Sequence, residues 1–194
     1  MPVTQAASDN KMIINELSLK NAAVIEAEPF ADNRGLFARF FCKQELDDVC
    51  NGREIVSVNF SRTLKKGAVR GLHFQYPPQC ETKFARCIRG AVYDVIVDVR
   101  SGSPTFLQWL GIELSADNMK MILIPEGFAH GFQTLEDNAE MLYLHTAHYA
   151  PEFEGALHYQ DPALNITWPL KVTDISEKDR NHALINPDFK GVEL

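Results

Sequence analysis

Long apolar runs are absent from this sequence of 194 residues. A helix that crosses a bilayer needs roughly 20 consecutive apolar residues, and no segment approaches that length. Residues 1–10 also lack the basic start and the apolar stretch of a secretory signal peptide. We therefore expect a cytoplasmic protein without a membrane partner.

Cysteines are few, and they form no metal-binding or redox motif. Cys42, Cys50, Cys80 and Cys87 include no C-x-x-C pair. Because disulfides are rare in the cytoplasm, we predict four free thiols, with Cys87 on a buried strand. No redox or metal role is expected for these residues.

Basic residues are fewer than acidic residues, with 19 Lys and Arg against 26 Asp and Glu, so the formal net charge is −7. A surface of that sign repels phosphate polyanions, so nucleic acid is not an expected partner. A small phosphorylated ligand remains compatible with the sequence, because many basic residues concentrate between residues 34 and 89. This basic group includes Arg34, Arg39, Arg62, Arg70, Lys83, Arg86 and Arg89.

Turn-forming residues divide most of the chain into short segments with strand character. From residue 68 to about residue 147, apolar segments follow one another at short spacing, separated by clusters rich in glycine, proline, asparagine, aspartate and serine. No helical pattern lies between them. This arrangement predicts an all-β fold, either an antiparallel sandwich or a jelly roll.

The length favours a single domain, residues 1–194, with terminal arms. We predict a loose segment over residues 1–11 and an irregular tail over residues 165–194. Short helices are predicted over residues 42–51 and over residues 176–179, where a serine can cap a last helical turn. Exposed arms on a sandwich often complete a homodimer, and we expect one here.

The most informative stretch is Arg70-Gly-Leu-His-Phe-Gln75, and Lys83 follows ten positions after its histidine, His73. The next run alternates apolar residues with Asp94 and Asp98, which predicts a strand with one packed and one polar face. We therefore expect His73 and Lys83 on or beside neighbouring strands of one sheet, facing a common cavity.

Further titratable side chains should gather around that cavity. Arg70, His130 and Tyr143 also fall on predicted strands or strand ends of the same sandwich. A cluster of such groups at the mouth of a sandwich is typical of a ligand pocket. A base, a cation and a phenol together suit proton abstraction beside a carbonyl. The base removes a C–H proton, the cation stabilises the enolate oxygen, and an acid on the opposite face returns a proton.

A series of motifs, in order along the chain, resembles the dTDP-4-dehydrorhamnose 3,5-epimerase family of cupin-fold nucleotide-sugar epimerases. The resemblance extends from about residue 30 to residue 179 and so covers most of the chain. The motifs that carry it are Arg70-Gly-Leu-His-Phe-Gln75, Lys83-Phe-Ala-Arg-Cys87, Asp94-Val-Ile-Val-Asp-Val-Arg100, Ser103-Pro-Thr-Phe106, Ile124-Pro-Glu-Gly-Phe-Ala-His-Gly-Phe132, Tyr149-Ala-Pro-Glu152 and Asp161-Pro-Ala-Leu164.

The resemblance implies a cupin jelly roll, a homodimer, a dTDP-sugar substrate and epimerisation without a metal or redox cofactor. By the same resemblance His73 is the base and Asp179 the carboxylate that orients it. Lys83 corresponds to the residue near the C4 oxygen, and Tyr143 to the acid. Taken alone, Asp179 could equally cap a helix, and Tyr143 could equally be a core aromatic.

Substrate-binding positions also follow from the resemblance. Arg34, Arg70 and His130 match positions that contact the nucleotide moiety, where guanidinium groups suit phosphate oxygens. In the family the arm that carries Arg34 reaches the active site of the partner subunit. An arginine in such a turn could also be a solvated loop residue. The remaining ligand-lining matches are Phe37, Asn59 and Tyr149, whereas Phe128 and Phe132 are expected to pack in the core.

Several positions depart from the family pattern. Arg39 stands where the family usually has glutamate, Ser57 where it has glutamine, and Leu144 where lysine is frequent. Glu154-Gly155-Ala156-Leu157 replaces the usual Glu-Arg-Gly-Ile. These changes leave the proton-transfer residues intact, but they leave open which keto sugar nucleotide is used and whether C3, C5 or both are inverted.

Two other classes of function remain open from the sequence. Many cupins bind a metal, and the segment that ends in His130 resembles their second motif, with Glu81 as a further candidate ligand. Gln75, however, stands where a second histidine is expected in the first motif, and glutamine is a poor ligand for first-row metals. A metal-dependent cupin oxygenase or isomerase is one alternative, and a non-catalytic sugar-nucleotide-binding cupin is the other.

Overall fold

Short strands joined by turns make up most of the regular structure in residues 11–194, the part of the chain that the computed structural model describes. The strands are β1 (Met12–Glu16), β2 (Ala23–Ala27), β3 (Phe30–Asp32), β4 (Gly35–Phe37), β5 (Ser57–Thr63), β6 (Ala68–Gln75), β7 (Lys83–Arg89), β8 (Ala91–Asp98), β9 (Trp109–Ser115), β10 (Met121–Ile124), β11 (Phe128–Thr134), β12 (Ala139–His145), β13 (Glu154–Ala156) and β14 (Asp174–Ile175). The helices are α1 (Lys43–Leu46), a 3-10 turn at Pro151–Phe153, and α2 (Glu177–Arg180).

Two sheets form the body of the fold. The first has the strand order β1-β2-β10-β7-β12-β5, and all of its pairings are antiparallel. The second has the order β13-β6-β11-β8-β9, with β14 added parallel to β6. Strands β3 and β4 form a separate hairpin. The predicted all-β class and antiparallel sandwich are therefore confirmed.

The sheets pack face to face through their apolar side chains. One buried cluster joins Ala85, Ile122 and Met141 of the first sheet to Val92 and Phe132 of the second. Phe128 belongs to the same cluster, so both phenylalanines expected in the core lie there. Burial of such residues on two facing sheets supplies the main favourable term in the stability of a sandwich.

One expectation about the sheets was wrong. His73 on β6 and Lys83 on β7 belong to different sheets, and not to neighbouring strands of one sheet. The segment over residues 76–82, which includes Pro77 and Pro78, carries the chain from the second sheet across to the first. The two side chains therefore face each other across the sandwich, and this arrangement still gives them a common cavity.

The expected polar face of β8 is absent. Val92 and Ile96 lie on the same face as Asp94 and Asp98 and pack in one buried cluster, while Val95 and Val97 of the other face pack in a second buried cluster. Asp94 and Asp98 are fully buried on a face that otherwise packs in the core, and β8 itself lies between β11 and β9 inside the second sheet. The Asp98 carboxylate accepts hydrogen bonds from Arg100, Ser103 and Thr105 in the loop that follows. Two of the motifs that carry the family resemblance thus hold this loop to β8, away from the cavity.

Helix α1 is shorter than the sequence suggested, α2 forms where the capped turn was predicted, and the C-terminal tail is more ordered than expected. Helix α1 covers four residues of the predicted 42–51 segment. The tail after residue 165 is irregular, as predicted, apart from β14 and α2. Its side chains Trp168, Ile185 and Phe189 nevertheless pack against a buried cluster of the sandwich. The predicted loose segment over residues 1–11 lies outside the described residues except for Lys11.

The four cysteines are free, and Cys87 is buried on β7, as predicted. Burial raises the pKa of the Cys80 thiol to about 11, so this thiol is protonated at neutral pH. Among the helices of residues 11–194, none is long and apolar enough to cross a membrane.

Candidate active site

A cavity of about 670 Å³ opens between the two sheets. The second sheet contributes Arg70 and His73 from β6 and His130 from β11, and His130 lies opposite His73 in the pairing of these strands. The first sheet contributes Asn59 from β5, Lys83 from β7 and Tyr143 from β12. With Asp179 from the C-terminal tail, seven of the ten predicted site residues line this cavity.

The C-terminal tail brings Asp179 to the imidazole of His73. The distance from His73 Nε2 to Asp179 Oδ1 is 2.8 Å, and the second carboxylate oxygen accepts a hydrogen bond from the Gly71 N–H. Because a carboxylate accepts the Nε2 proton, the neutral imidazole keeps Nδ1 as its proton acceptor. Burial raises the pKa of Asp179, but the bonds from His73 and Gly71 outweigh it and hold the pKa below its ordinary value.

Two local features of the tail position this carboxylate. Strand β14 pairs with the first residues of β6, and α2 starts directly afterwards. The Ser176 side chain caps α2 by accepting a hydrogen bond from the Asp179 N–H at 3.0 Å. Asp179 therefore lies in the capped helical turn, but Ser176 supplies the cap and the Asp179 carboxylate is the partner of His73.

Gly71 is required by the path of the backbone next to His73. Its φ is +118°, and a Cβ built there would lie 2.5 Å from the Cα of Gly131 on the neighbouring strand. A side chain at position 71 would therefore be strained and would also push β6 away from β11. The glycine of the Arg-Gly-Leu-His motif thus allows the approach that sets His73 opposite His130.

Lys83 is held in the cavity wall by an ion pair. Its ammonium lies 2.9 Å from Glu81 Oε1, while Oε2 of the same carboxylate lies 2.6 Å from His145 Nδ1. Burial raises the pKa of Glu81, but the Lys83 charge and the His145 contact outweigh burial and lower the pKa to about 2. Glu81 is thus an anion at neutral pH and fixes the ammonium at one place in the wall.

Tyr143 lies in the opposite sheet from His73. Its hydroxyl is 3.0 Å from the Ser61 hydroxyl on the neighbouring strand β5. Burial is the main reason that the pKa of Tyr143 is raised well above its ordinary value. The phenol therefore keeps its proton across the neutral pH range and can act as a proton donor.

His130 and Arg70 have structural partners of their own. His130 Nε2 lies 2.8 Å from Asp94 Oδ2, and both side chains are buried. Arg70 donates from Nε to the Thr63 hydroxyl at 2.8 Å, and its side chain remains exposed at the cavity. The guanidinium is therefore oriented towards space that a ligand can occupy.

Three predicted substrate-binding residues lie outside the main cavity. Tyr149 lines a smaller cavity of about 180 Å³, which also contains Ser57, His73 and Lys83. Arg34 pairs with Asp32 in the β3–β4 turn and is 84% exposed. Phe37 on the same hairpin is 67% exposed. Within one chain, Arg34 and Phe37 do not line either of these cavities.

The candidate ligands of a cupin metal site are engaged elsewhere. Glu81 is paired with Lys83 and His145, and His130 is paired with Asp94. The Gln75 amide donates to the Gln79 carbonyl and accepts from the Ala150 N–H. Within residues 11–194, Glu81 and His130 belong to no group of three histidine, cysteine or carboxylate side chains with metal-ligand spacing, so they do not fit the metal that the alternative class of function requires.

Several residues that the sequence reading missed support the site. Ser61 contacts Tyr143, His145 contacts Glu81, and Asp94 contacts His130. His182 Nε2 lies 3.7 Å from the Asp179 carboxylate. The pKa of His182 is lowered mainly by burial and secondly by the charge of the nearby His73. Of these four residues, only His182 could have been found from the sequence, because it lies three positions after Asp179, close to one helical turn. The contacts of Ser61, His145 and Asp94 join distant parts of the chain.

The departures from the family pattern have clear local partners. Arg39 forms an ion pair with Glu45, and Leu144 is buried against the outer face of the first sheet. Glu154 on β13 pairs with Lys178 and accepts a hydrogen bond from the Tyr149 hydroxyl. Of these positions Glu154 lines the smaller cavity, as Ser57 does, whereas Arg39 and Leu144 line neither cavity.

Comparison with known proteins identifies the family. The profile described as dTDP-4-dehydrorhamnose 3,5-epimerase matches residues 16–186. The dTDP-4-dehydrorhamnose 3,5-epimerase of Salmonella typhimurium is 40% identical over 178 residues, covering 90% of this chain and 96% of the relative.

Solved structures agree with the sequence match. The dTDP-6-deoxy-D-glucose-3,5-epimerase of Legionella pneumophila, in complex with dTDP-4-keto-L-rhamnose, has a TM-score of 0.86 and 38% identity, covering 94% of this chain and 98% of that one. A 3'-monoepimerase of Streptomyces bikiniensis, in complex with dTDP-quinovose, has a TM-score of 0.81 and 32% identity, covering 88% and 86%. The cupin-type fold is thereby confirmed. The chain belongs to the dTDP-4-dehydrorhamnose 3,5-epimerase family of isomerases.

Proposed function

We propose that this protein epimerises a carbon next to the C4 ketone of a dTDP-4-keto-6-deoxyhexose, using its own side chains and no metal or redox cofactor. The observation that carries the proposal is the His73–Asp179 pair, which lies across one cavity from Lys83 and Tyr143. The family membership and the dTDP sugars in the names of the matched structures support the substrate class.

In the proposed reaction His73 Nδ1 removes the proton from the carbon beside the ketone. The Asp179 carboxylate stabilises the imidazolium that forms and keeps the ring in the orientation of the 2.8 Å contact. General-base catalysis of this kind contributes roughly 10²–10⁴-fold to the rate. Asp179 therefore acts through His73 and needs no contact with the sugar.

The electrons released by deprotonation move onto the C4 oxygen, which becomes an enolate. Lys83 is the cation in the cavity wall that can stabilise this charge, because Glu81 holds its ammonium in place. Tyr143 then returns a proton to the carbon from the other sheet. Removal from one face and return to the opposite face inverts the carbon, which is the reason that the base and the acid should lie on facing sheets.

The remaining predicted residues would hold the substrate. We assign Arg70 and His130 to the nucleotide diphosphate end, with Asn59 and Tyr149 at the walls of the two cavities. The exposed Arg34 would reach the active site of a partner subunit, together with Phe37 on the same hairpin.

We also infer a homodimer, because the β3–β4 hairpin and the edge strand β5 expose apolar side chains. Phe30 and Leu36 are exposed on the hairpin, as are Val58 and Phe60 on β5. Isolated exposed apolar residues are ordinary, but groups of them on an edge strand and on a separate hairpin indicate an interface. The cytoplasmic location stays a prediction from the sequence.

The number of carbons inverted is left open by the relatives, because they include both a 3,5-epimerase and a 3'-monoepimerase. The best-supported reaction is inversion at C3 and C5, since the 3,5-epimerase family profile matches most of the chain. Ser57 and Tyr149 line the smaller cavity, so changes at position 57 are placed to affect how the sugar turns between two deprotonations.

Proton NMR in deuterium oxide with dTDP-4-keto-6-deoxyglucose tests this function directly. We expect loss of the C3 and C5 proton signals as each carbon exchanges with solvent and inverts. A His73→Ala variant should bind the nucleotide sugar but show no exchange at either carbon. His148→Ala, a change at an exposed histidine, provides the matched control and should exchange at the wild-type rate.

Full exchange in His73→Ala would exclude this residue as the base. Tight binding of the nucleotide sugar by the wild type without exchange at any carbon would instead favour the non-catalytic binding protein. Exchange at C3 alone would assign the protein to the monoepimerases of the family.

A further inference from the structure

A second histidine lies against the carboxylate that orients His73. The distance from His182 Nε2 to Asp179 Oδ1 is 3.7 Å, too long for a hydrogen bond, and the two imidazole rings meet edge to face with centroids 6.0 Å apart. The Nε2 atom of His182 is buried and has no hydrogen-bond partner. A buried ring nitrogen without a partner is costly, and it therefore needs an explanation.

The spacing of the three groups matches that of metal ligands. One ligand atom from each of His73, Asp179 and His182 lies within 4.8 Å of the others. Ligand atoms about 2.1 Å from a tetrahedral zinc ion lie about 3.4 Å apart. The observed separations of 2.8 Å and 3.7 Å from Asp179 Oδ1 bracket that value. The two imidazoles, whose ligand atoms are no more than 4.8 Å apart, would adjust their separation as they bind the ion.

We propose that His73, Asp179 and His182 form a binding site for a first-row divalent metal ion such as zinc, and that occupation of this site inhibits the enzyme. Two imidazoles and one carboxylate are a ligand set that zinc accepts, with a fourth position left for water or another ligand. The inhibition rests on the proposed function, whereas the binding site does not. The site differs from the cupin metal site considered above and shares none of Glu81, Gln75 and His130 with it.

The chemistry of the imidazole explains why occupation stops proton transfer. In the metal-free enzyme Nε2 of His73 carries the proton that Asp179 accepts, and Nδ1 has the free lone pair. A metal on Nε2 needs the lone pair of that atom, so the proton of the neutral ring moves to Nδ1. Asp179 and His73 then bind the ion instead of each other, and Nδ1 no longer accepts a proton from the sugar.

His182 is the residue that separates the metal site from the catalytic pair. Removal of its imidazole leaves His73 and Asp179 with their 2.8 Å contact but takes away one of three ligands. We therefore expect a His182→Gln variant to lose its sensitivity to zinc, with inhibition expressed relative to the metal-free activity of the same variant. Loss of one ligand should weaken zinc binding by at least about 10-fold.

The experiment has a binding arm and an activity arm, both with tag-free protein that has been treated with a chelator. Calorimetric titration of zinc into the wild type, His182→Gln, His182→Asn and the control His148→Gln measures affinity without any substrate. We expect one zinc ion per chain in the wild type and the control, and weaker binding in both His182 variants. The thermal unfolding midpoint of each variant shows whether it is folded.

The activity arm follows deuterium exchange into the sugar at increasing zinc concentrations. Zinc should inhibit the wild type and His148→Gln in parallel with the measured binding, and a chelator should restore activity. Equal zinc affinity in the wild type and the folded His182 variants would overturn the proposal, as would the absence of zinc binding. Binding that depends on His182 with no inhibition would keep the site and reject its inhibitory role. A wild type without exchange before zinc is added would reject the proposed function and leave the binding arm readable.

Discussion

At the scale of single residues, the protonation states of the site follow from burial and from a few close contacts. Asp179 and Glu81 are anions because the partners of each outweigh the effect of burial on its pKa. Tyr143 is a neutral phenol because burial raises its pKa by more than the hydrogen bond with Ser61 lowers it. The site thus holds a base with an anionic partner on one side and a protonated acid on the other at the same pH.

The separate roles of His73 as base and Tyr143 as acid lead to a prediction for Tyr143→Phe. The change removes the proton donor and keeps the ring, so turnover should fall roughly 10²–10⁴-fold, the usual contribution of a general acid. Deprotonation by His73 should survive, and some deuterium should still enter the substrate. Parallel measurements of product formation and solvent exchange by NMR would detect this separation.

The matched control for Tyr143→Phe is Tyr93→Phe. Tyr93 lies on β8 and packs against a cluster on the other side of the second sheet. Its hydroxyl should therefore be irrelevant to catalysis. An unchanged turnover rate in Tyr143→Phe would remove this residue from the mechanism.

At the scale of elements, the loop after β8 depends on one buried carboxylate. Asp98 accepts hydrogen bonds from the Arg100 guanidinium at 2.9 Å and 2.7 Å and from the Ser103 and Thr105 hydroxyls at 2.6 Å each. Burial raises the pKa of Asp98, but these bonds lower it to about 2. The folded state therefore binds a proton at this carboxylate less readily than the unfolded state does.

We expect Asp98→Asn to lower the free energy of unfolding at pH 7 by about 3 kcal/mol, because it breaks a buried ion pair. The depressed pKa contributes about 2 kcal/mol of stability that is present above the unfolded-state value near 4 and is lost as the pH falls towards 2. The difference in the free energy of unfolding between the wild type and Asp98→Asn should thus become smaller below about pH 4. Denaturant unfolding at several pH values measures it, with the exposed Asp117→Asn as the control. A gap independent of pH would contradict the assigned charge of Asp98.

The sequence predicted elements better than it predicted their assembly. Turn residues located the strands between residues 68 and 147, and short motifs identified His73, Lys83 and Tyr143, since both signals are local. The sheet that each strand joins is a long-range property, and the segment over residues 76–82 moves β7 to the sheet facing β6. Contacts such as His145 with Glu81, 64 positions apart, carry no pattern in a single sequence.

At the scale of the whole molecule, a single chain does not bring all of the predicted substrate-binding residues to the cavity. Arg34 and Phe37 lie on the exposed β3–β4 hairpin, away from the cavity that Arg70 and His73 of the same chain line. On the apolar edge strand β5, Asn59 lines the cavity while Val58 and Phe60 on either side of it are exposed. A symmetric dimer would cover these apolar residues and could bring the hairpin of one subunit to the cavity of its partner.

Mixed dimers test this arrangement, because they separate residues that act within one chain from residues supplied by the partner. Arg34→Ala and His73→Ala should each be inactive as homodimers. When the two are dissociated, mixed and reassembled at random, half of the dimers are mixed and one of their two sites is complete, so about a quarter of the wild-type activity should return. Arg70→Ala mixed with His73→Ala is the control and should restore nothing, because Arg70 and His73 line the cavity of the same chain. With both parent homodimers inactive, restoration in neither mixture would place Arg34 within its own chain's site. An active Arg34→Ala homodimer would remove Arg34 from catalysis, and a monomer in sedimentation experiments would reject the dimer itself.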